Sequence, residues 1–302
     1  MLRKLAFLAI AAAVFGGLAF WFLTMPSRLD AATVASMPPG DAEAGQLVFY
    51  RAGCSSCHAR PEAKGDDKLV LAGGHRFVTQ FGTFVAPNIS SDKAAGIGAW
   101  TLEQFATALQ KGVSPDGRHY YPAFPFTSYV RMAPKDVSDL FAFMQTLPAV
   151  AETAPHHEVG FPFNIRRGLG LWKLLFLKKG PVETLAADAS DLQKRGQYLV
   201  EGPGHCGECH TPRNLIGGLE LADWLEGAAA AEGDGKVPNI SQGEGGISGW
   251  SEKDIAYYLE SGFTPDFDSV GGAMVAVQEN MAKLPAGDRE AIAAYLKTVK
   301  GD

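Results

Sequence analysis

An all-α chain, with two small tandem helical domains behind a single N-terminal transmembrane helix, is the architecture this sequence predicts. Three observations predict it. The pentads Cys54-Ser55-Ser56-Cys57-His58 and Cys206-Gly207-Glu208-Cys209-His210 share one pattern and use all 4 cysteines of the 302 residues. The segments that follow each pentad repeat as well, in the same order. Ahead of both copies lies an apolar run long enough to cross a bilayer.

Residues 1–39 are expected to form the membrane anchor and a short linker. The 23 residues between Lys4 and Arg28 carry no charge, and residues 5–24 are nearly all apolar. At about 1.5 Å per helical residue this run spans the hydrocarbon core. Arg3 and Lys4 place the N-terminus in the cytoplasm, so everything after Arg28 is exported. A cleaved signal peptide is the rival reading. Its apolar region is usually only about 7–15 residues, and no clean A-x-A site follows here, so a retained anchor is preferred.

The copies occupy residues 40–150 and 191–302. Pro87-Asn88-Ile89-Ser90 begins 33 residues after Cys54, and Pro238-Asn239-Ile240-Ser241 begins 32 after Cys206. Gly96-Ile97-Gly98-Ala99-Trp100 answers Gly246-Ile247-Ser248-Gly249-Trp250. A Pro-Asp pair follows each Trp at 15 residues, Pro115-Asp116 and Pro265-Asp266. Helices are expected over 41–51 and 191–201, ahead of each pentad. Thr101-x-x-Gln104 and Ser251-x-x-Asp254 read as capping boxes opening a middle helix. Val137, Leu140, Phe141 and Met144, then Ile292, Tyr295, Leu296 and Val299, give the apolar stripe of a final helix in each copy. No alternating run is long enough to predict a sheet.

CxxCH is the attachment signature of c-type haem. Its two thiols bond the porphyrin, and its histidine falls where the imidazole ligates the iron. Cys54, Cys57 and His58 are therefore the first candidate site, and Cys206, Cys209 and His210 the second, for two covalent haems c. The alternative is a redox CxxC pair or half of a zinc site beside an incidental histidine. The shared histidine offset argues against it. In bacteria such attachment occurs on the exported side, which predicts an inner-membrane protein with its haem domains in the periplasm.

The repeats resemble class I cytochrome c domains. The pair resembles the membrane-anchored dihaem cytochromes c, relatives of the cytochrome subunits of periplasmic alcohol and sugar-acid dehydrogenases. The resemblance rests on Gly96-Ile97-Gly98-Ala99-Trp100, on Asp116-Gly117-Arg118-His119-Tyr120-Tyr121-Pro122-Ala123-Phe124-Pro125, and on Gly204-His205-Cys206-Gly207-Glu208-Cys209-His210-Thr211-Pro212-Arg213-Asn214. It covers residues 40–302. It implies a methionine as sixth iron ligand, in the loop before the last helix. Met132 is that candidate in the first domain, because Phe124 stands where related domains often carry methionine. Met274 is preferred in the second, within Gly271-Gly272-Ala273-Met274, and Met281 is the alternative. A bis-histidine iron through His75 or His119 is a further possibility; otherwise these, His156 and His157 are loop histidines. His205 points away from its own iron. Trp100 and Trp250 are expected to pack on haem, and Asn88 and Asn239 to bond in its crevice.

The function implied is electron transfer, not catalysis. A respiratory donor, either a dehydrogenase or a quinol-oxidising complex, would pass electrons through the two haems to a terminal oxidase or soluble cytochrome. An obligate subunit of a dehydrogenase or oxidase complex is the first alternative. A haem enzyme, peroxidase-like or thiosulfate dehydrogenase-like, is the second; it would need an open axial site or a cysteine ligand, and there is no fifth cysteine.

Residues 151–190 join the domains. Within 161–180, Arg166, Arg167, Lys173, Lys178 and Lys179 accompany Leu171, Trp172, Leu174, Leu175, Phe176 and Leu177 without an acid. A basic amphipathic helix on anionic lipid and a strap packed across both domains, its cations in solvent, are equal readings. A net charge of −6 suggests no nucleic-acid partner. Residues 40–150 carry 10 basic and 10 acidic side chains, whereas 190–302 carry 9 and 18. The second domain, with Glu201, Glu208 and Glu252 taken as acids near its haem, is expected to face a basic redox partner.

Overall fold

The computed structural model describes residues 1–231 and 235–301; Glu232, Asp234 and Asp302, counted above among the acids, lie outside them. Helix α1 (Leu2–Leu23) is apolar, long enough to cross a bilayer, and buries no residue against the rest of the chain. A short helix α2 (Ala31–Ala35) leads to the first half. There α3 (Ala42–Arg51) starts on an Asp41 cap, and α4 (Cys54–His58) is the pentad itself. Then come α5 (Leu102–Lys111), α6 (Phe126–Tyr129) and α7 (Pro134–Met144). The linker forms α8 (Leu169–Phe176). The second half repeats the order with α9 (Asp191–Glu201), α10 (Gly207–His210), α11 (Glu252–Ser261), α12 (Met274–Met281) and α13 (Ala286–Leu296).

Both expected capping boxes are present, at Thr101/Gln104 and Ser251/Asp254. The all-helical expectation needs correction in one respect. The glycine-rich stretch after each pentad holds a small antiparallel hairpin, β1 (Arg76–Thr79) with β2 (Gly82–Val85) and β3 (Ala228–Ala229) with β4 (Lys236–Val237). These strands have only two or four residues, too short for alternation to register.

Each half closes by crossing its first helix over its last, α3 on α7 and α9 on α13. A glycine makes each crossing possible. A Cβ on Gly45 would drive into the Asp139 carbonyl, and one on Gly196 into that of Ala291. The predicted stripes face these crossings. Val137, Leu140 and Met144 are buried in one core; Ile292, Tyr295, Leu296 and Val299 are buried in the other. Trp100 and Trp250 pack, half-buried, against their respective cores.

The halves meet through matched contacts. Asp136 and Asp288 are the third residues of α7 and α13. Asp136 accepts from Tyr198 of α9 at 2.6 Å, and Asp288 pairs with Arg51 of α3 at 2.7 Å. Each final helix is thus bonded by the first helix of the opposite half, as an approximate two-fold relation requires.

Candidate functional site

Both pentads begin from the same unusual backbone. The residue before the first cysteine has a left-handed φ, +57° at Gly53 and +40° at His205. That conformation costs a non-glycine residue about 1–2 kcal/mol. His205 is held there by its Nε2 contact with the Ala52 carbonyl at 3.2 Å and by the Tyr129 ring, 5.6 Å away between centroids. Its imidazole is therefore turned toward the first half.

A single short helical turn then carries each CxxCH. His58 Nδ1 lies 2.8 Å from the Pro87 carbonyl, and His210 Nδ1 lies 2.8 Å from that of Pro238. A carbonyl accepts only from N–H, so both rings carry their proton on Nδ1 and leave Nε2 as the lone-pair donor. Such an outer partner is what orients a metal-binding imidazole and fixes its tautomer. Burial lowers the pKa of both rings, opposed in each case by the proline carbonyl. They are thereby kept neutral, the form that ligates. Burial, reinforced by the neighbouring cysteine, pushes the Cys54 and Cys206 thiols up to about 12. Cys57 is partly buried and Cys209 exposed. Among the described residues no cluster of three or more His, Cys, Asp or Glu is arranged around a metal position, so the zinc alternative finds no second half. Two thiols beside one oriented, neutral imidazole fit the protein side of a covalent haem c.

The middle of each pentad reaches across to the other half. Ser55 and Ser56 hydroxyls contact Asn280 of α12 at 3.3 and 3.0 Å. Glu208 accepts from Thr127 at 2.5 Å and Ser128 at 2.9 Å, both on α6, and from Arg213 at 2.6 Å. Burial alone would raise the Glu208 carboxyl, but Arg213 and the two hydroxyls outweigh it and hold the group below its ordinary range. Tyr129 sits against this junction, its hydroxyl on the Ala52 carbonyl.

The methionines are placed differently from one another. Met132 is buried in the first core just before α7. Met274 opens α12, half-buried against a core that Cys206 also touches, and Met281 closes α12 fully buried. Phe124, the counterpart of Met274, lies among the rings of Tyr120, Phe126 and Tyr129.

Several expectations are revised. Glu201 and Glu208 are not surface acids. Glu201 is 2% exposed and accepts from the Val182 and Glu183 amides and the Tyr295 hydroxyl. One signal was available: an acid in the last turn of a helix opposes the macrodipole and calls for dedicated donors. Glu252 is exposed, as expected. His119 is a loop histidine but a buried one, with one ring nitrogen on the Thr24 carbonyl and the other on Lys173. Lys173 is buried, not solvated. The amides of Asn88 and Asn239 donate to backbone carbonyls of Val150, Glu152 and Glu244 and so shape the turn after Pro87 and Pro238.

The cytochrome c family profile matches residues 42–148. A dihaem c-type cytochrome of Cereibacter sphaeroides is 48% identical over 99% of this chain and 99% of its own length. The fructose dehydrogenase cytochrome subunit of Gluconobacter japonicus is 36% identical over 84% of this chain and 52% of its own. The quinone alcohol dehydrogenase cytochrome c subunit of Gluconobacter oxydans is 33% identical over 84% and 54%. The chain thus spans about half the length of these two dehydrogenase subunits. Coverage of nearly two whole chains at such identity, together with two oriented CxxCH turns, means that this protein belongs to the cytochrome c family.

Proposed function

We propose that the chain is a membrane-tethered, periplasmic dihaem cytochrome c that relays electrons from a membrane or periplasmic dehydrogenase, or a quinol-oxidising complex, to a terminal oxidase or soluble cytochrome. The observation that carries the two-haem reading is the repeated His-to-Pro carbonyl bond, 2.8 Å at both pentads. Bound haem c supplies one-electron exchange between ferric and ferrous iron. Cys54 and Cys57 hold one group and Cys206 and Cys209 the other. His58 and His210 are the proximal ligands. Met132 and Met274 are the proposed sixth ligands, with Met281 as the alternative to Met274; thioether ligation favours the reduced state. Contacts of Ser55 and Ser56 with Asn280, and of Glu208 with Thr127 and Ser128, tie each proposed site to the opposite half.

The names of the dehydrogenase relatives support a second reading, in which the chain is a stable cytochrome subunit of a periplasmic dehydrogenase. Purification from native membranes separates the two: a stoichiometric dehydrogenase subunit supports the second, a chain recovered alone the first. The two-haem reading itself is tested by pyridine haemochrome assay. Two haems per chain are expected, falling to one attached by two thioethers in Cys209→Ala. One haem in the wild-type protein refutes it.

A further inference from the structure

Helix α8 divides cleanly around its axis. At about 100° per residue, Leu171, Leu174 and Leu175 share one face, and they are 39%, 58% and 58% exposed. Trp172 and Lys173 lie on the opposite face and are buried. Trp172 packs against Phe126 and donates to the Ile216 carbonyl. Lys173 donates to the Lys111 and Gly112 carbonyls. The packed side therefore already has its partners within the chain, and the leucine face is the exposed side of the helix.

Gly170 sits between these two faces, and it touches the end of α1. A Cβ there would run into the Thr24 backbone. Arg167 bonds the Thr24 hydroxyl at 2.9 Å and the Trp21 carbonyl at 2.7 Å, and its guanidinium lies 4.2 Å from the Trp21 ring centroid. His119 bonds the Thr24 carbonyl at 2.9 Å. Thr24 itself is fully buried. Thr24, which caps the end of α1, is thus seated in a socket made from Arg167, Gly170 of α8 and the loop after α5. A membrane span that ends at Thr24 places α8 at the boundary between acyl chains and headgroups.

Resting on the reading of α1 as a retained anchor, we propose that α8 is an interfacial helix: its leucine face inserts into the outer leaflet beside α1 and fixes the tilt of the first half over the membrane. Three features select lipid as the occupant. The helix that carries the exposed face touches the end of α1 through Gly170. Lys178 and Lys179 follow it, exposed, at the level where cations meet phosphate headgroups. No acid occurs in 161–180 to be repelled there.

The test uses the full-length holoprotein with a photoreactive benzoylphenylalanine at position 174, or at 171 as a second site. Phe15 in α1 and Phe267 in the second half serve as reference positions. The protein is irradiated in native membranes and in nanodiscs of phosphatidylethanolamine and phosphatidylglycerol, and adducts are read by mass spectrometry; the haem spectrum reports folding. Lipid adducts at 174 and 171 in yields near those of Phe15, with loss of signal at Phe267, support the proposal. Adducts at Phe15 without any at 174 or 171 overturn it and leave the anchor intact. A cross-link from 174 to another polypeptide in native membranes also overturns it. Absence of lipid adducts at Phe15 as well refutes the anchor, and the interfacial helix with it.

Discussion

Glu208 is the residue whose removal best tests whether the two pentads are clasped. It lies in the variable middle of the second CxxCH, yet its side chain is only 8% exposed. It joins Thr127 and Ser128 of the first half to Arg213 of its own. Hydrogen bonds to a charged group contribute about 1.5–3 kcal/mol each. Thr127→Val keeps the shape and removes one donor, and should destabilise the protein by roughly 1.5–3 kcal/mol on that basis. Glu208→Ala removes the acceptor from both hydroxyls and leaves Arg213 with the Gly217 and Glu208 carbonyls. Its expected cost is similar or somewhat larger. In the double variant the Thr127 contact is lost only once, so the coupling energy should be about 1–2 kcal/mol. A loss of 2 kcal/mol corresponds to a fall of about 4–8 °C in Tm for a unit of 150–250 residues. The assay is equilibrium unfolding of the detergent-solubilised holoprotein, followed by far-ultraviolet circular dichroism. Glu252→Ala, an exposed acid, is the control and should stay within about 0.5 kcal/mol of wild type. Additivity of the two single changes within about 0.3–0.5 kcal/mol would refute the clasp.

The remaining expectations concern ligation, pH and docking. Met274→Ala should open the second iron and lower the potential of one centre, whereas Met281→Ala should mainly weaken the core that buries it; potentiometric titration giving the reverse pattern would reassign the ligand to Met281. Met132→Ala should lower only the other potential. Burial lowers the Lys173 ammonium from its ordinary 10.5 to about 7. Between those values the unfolded chain binds more protons than the folded one, so stability should rise with pH from about 7 toward 10.5, and the full cost of burying the charge applies below 7. Lys173→Met should flatten that rise, and identical slopes of Tm against pH in the two proteins would refute the assignment. Charge reversal at Glu252, Asp266 and Asp268, all exposed in the second half, should slow transfer to a basic partner at low salt. The defect should vanish as salt screens it over about 8–10 Å; wild-type rates at every ionic strength would leave the charge asymmetry without a docking role.

Local signals were legible wherever one residue type has one physical use. The capping boxes at Thr101 and Ser251 stand at helix starts, because a side-chain oxygen there satisfies an otherwise orphaned amide. The CxxCH turns and the final-helix stripes were equally readable. Relations between halves were not. Nothing in the string Cys206-Gly207-Glu208-Cys209-His210 says that Glu208 faces Thr127. A charged residue in a short motif reads as solvated until its partner, roughly 80 residues away, is in view. Lys173 misled for the same reason. In a run of basic residues it looks like its neighbours, and only the three-dimensional socket shows that its ammonium faces the Lys111 and Gly112 carbonyls and the ring of Phe126.

The two halves place different side chains on similar scaffolds. The residues that match between halves are those that set local geometry: Gly45 and Gly196 at the helix crossings, Pro87 and Pro238 behind the histidines, Asp136 and Asp288 at the interface. The residues that differ lie in other places. Phe124 answers Met274, Ser56 answers Glu208, and a neutral first half answers an acidic second half. The end of α1 is bonded at Thr24 by His119 of the first half and by Arg167 of the linker. The second half touches the anchor at no described residue pair with a side-chain bond and presents Tyr257, Phe263 and Phe267 to solvent beside its surface acids. Aromatic side chains ringed by charge suit brief, salt-sensitive encounters more than permanent burial. In the proposed relay a basic partner would meet the acidic second half, and the other partner the neutral first half. The contacts of Glu208, Tyr129 and His205 join the two halves at the pentads.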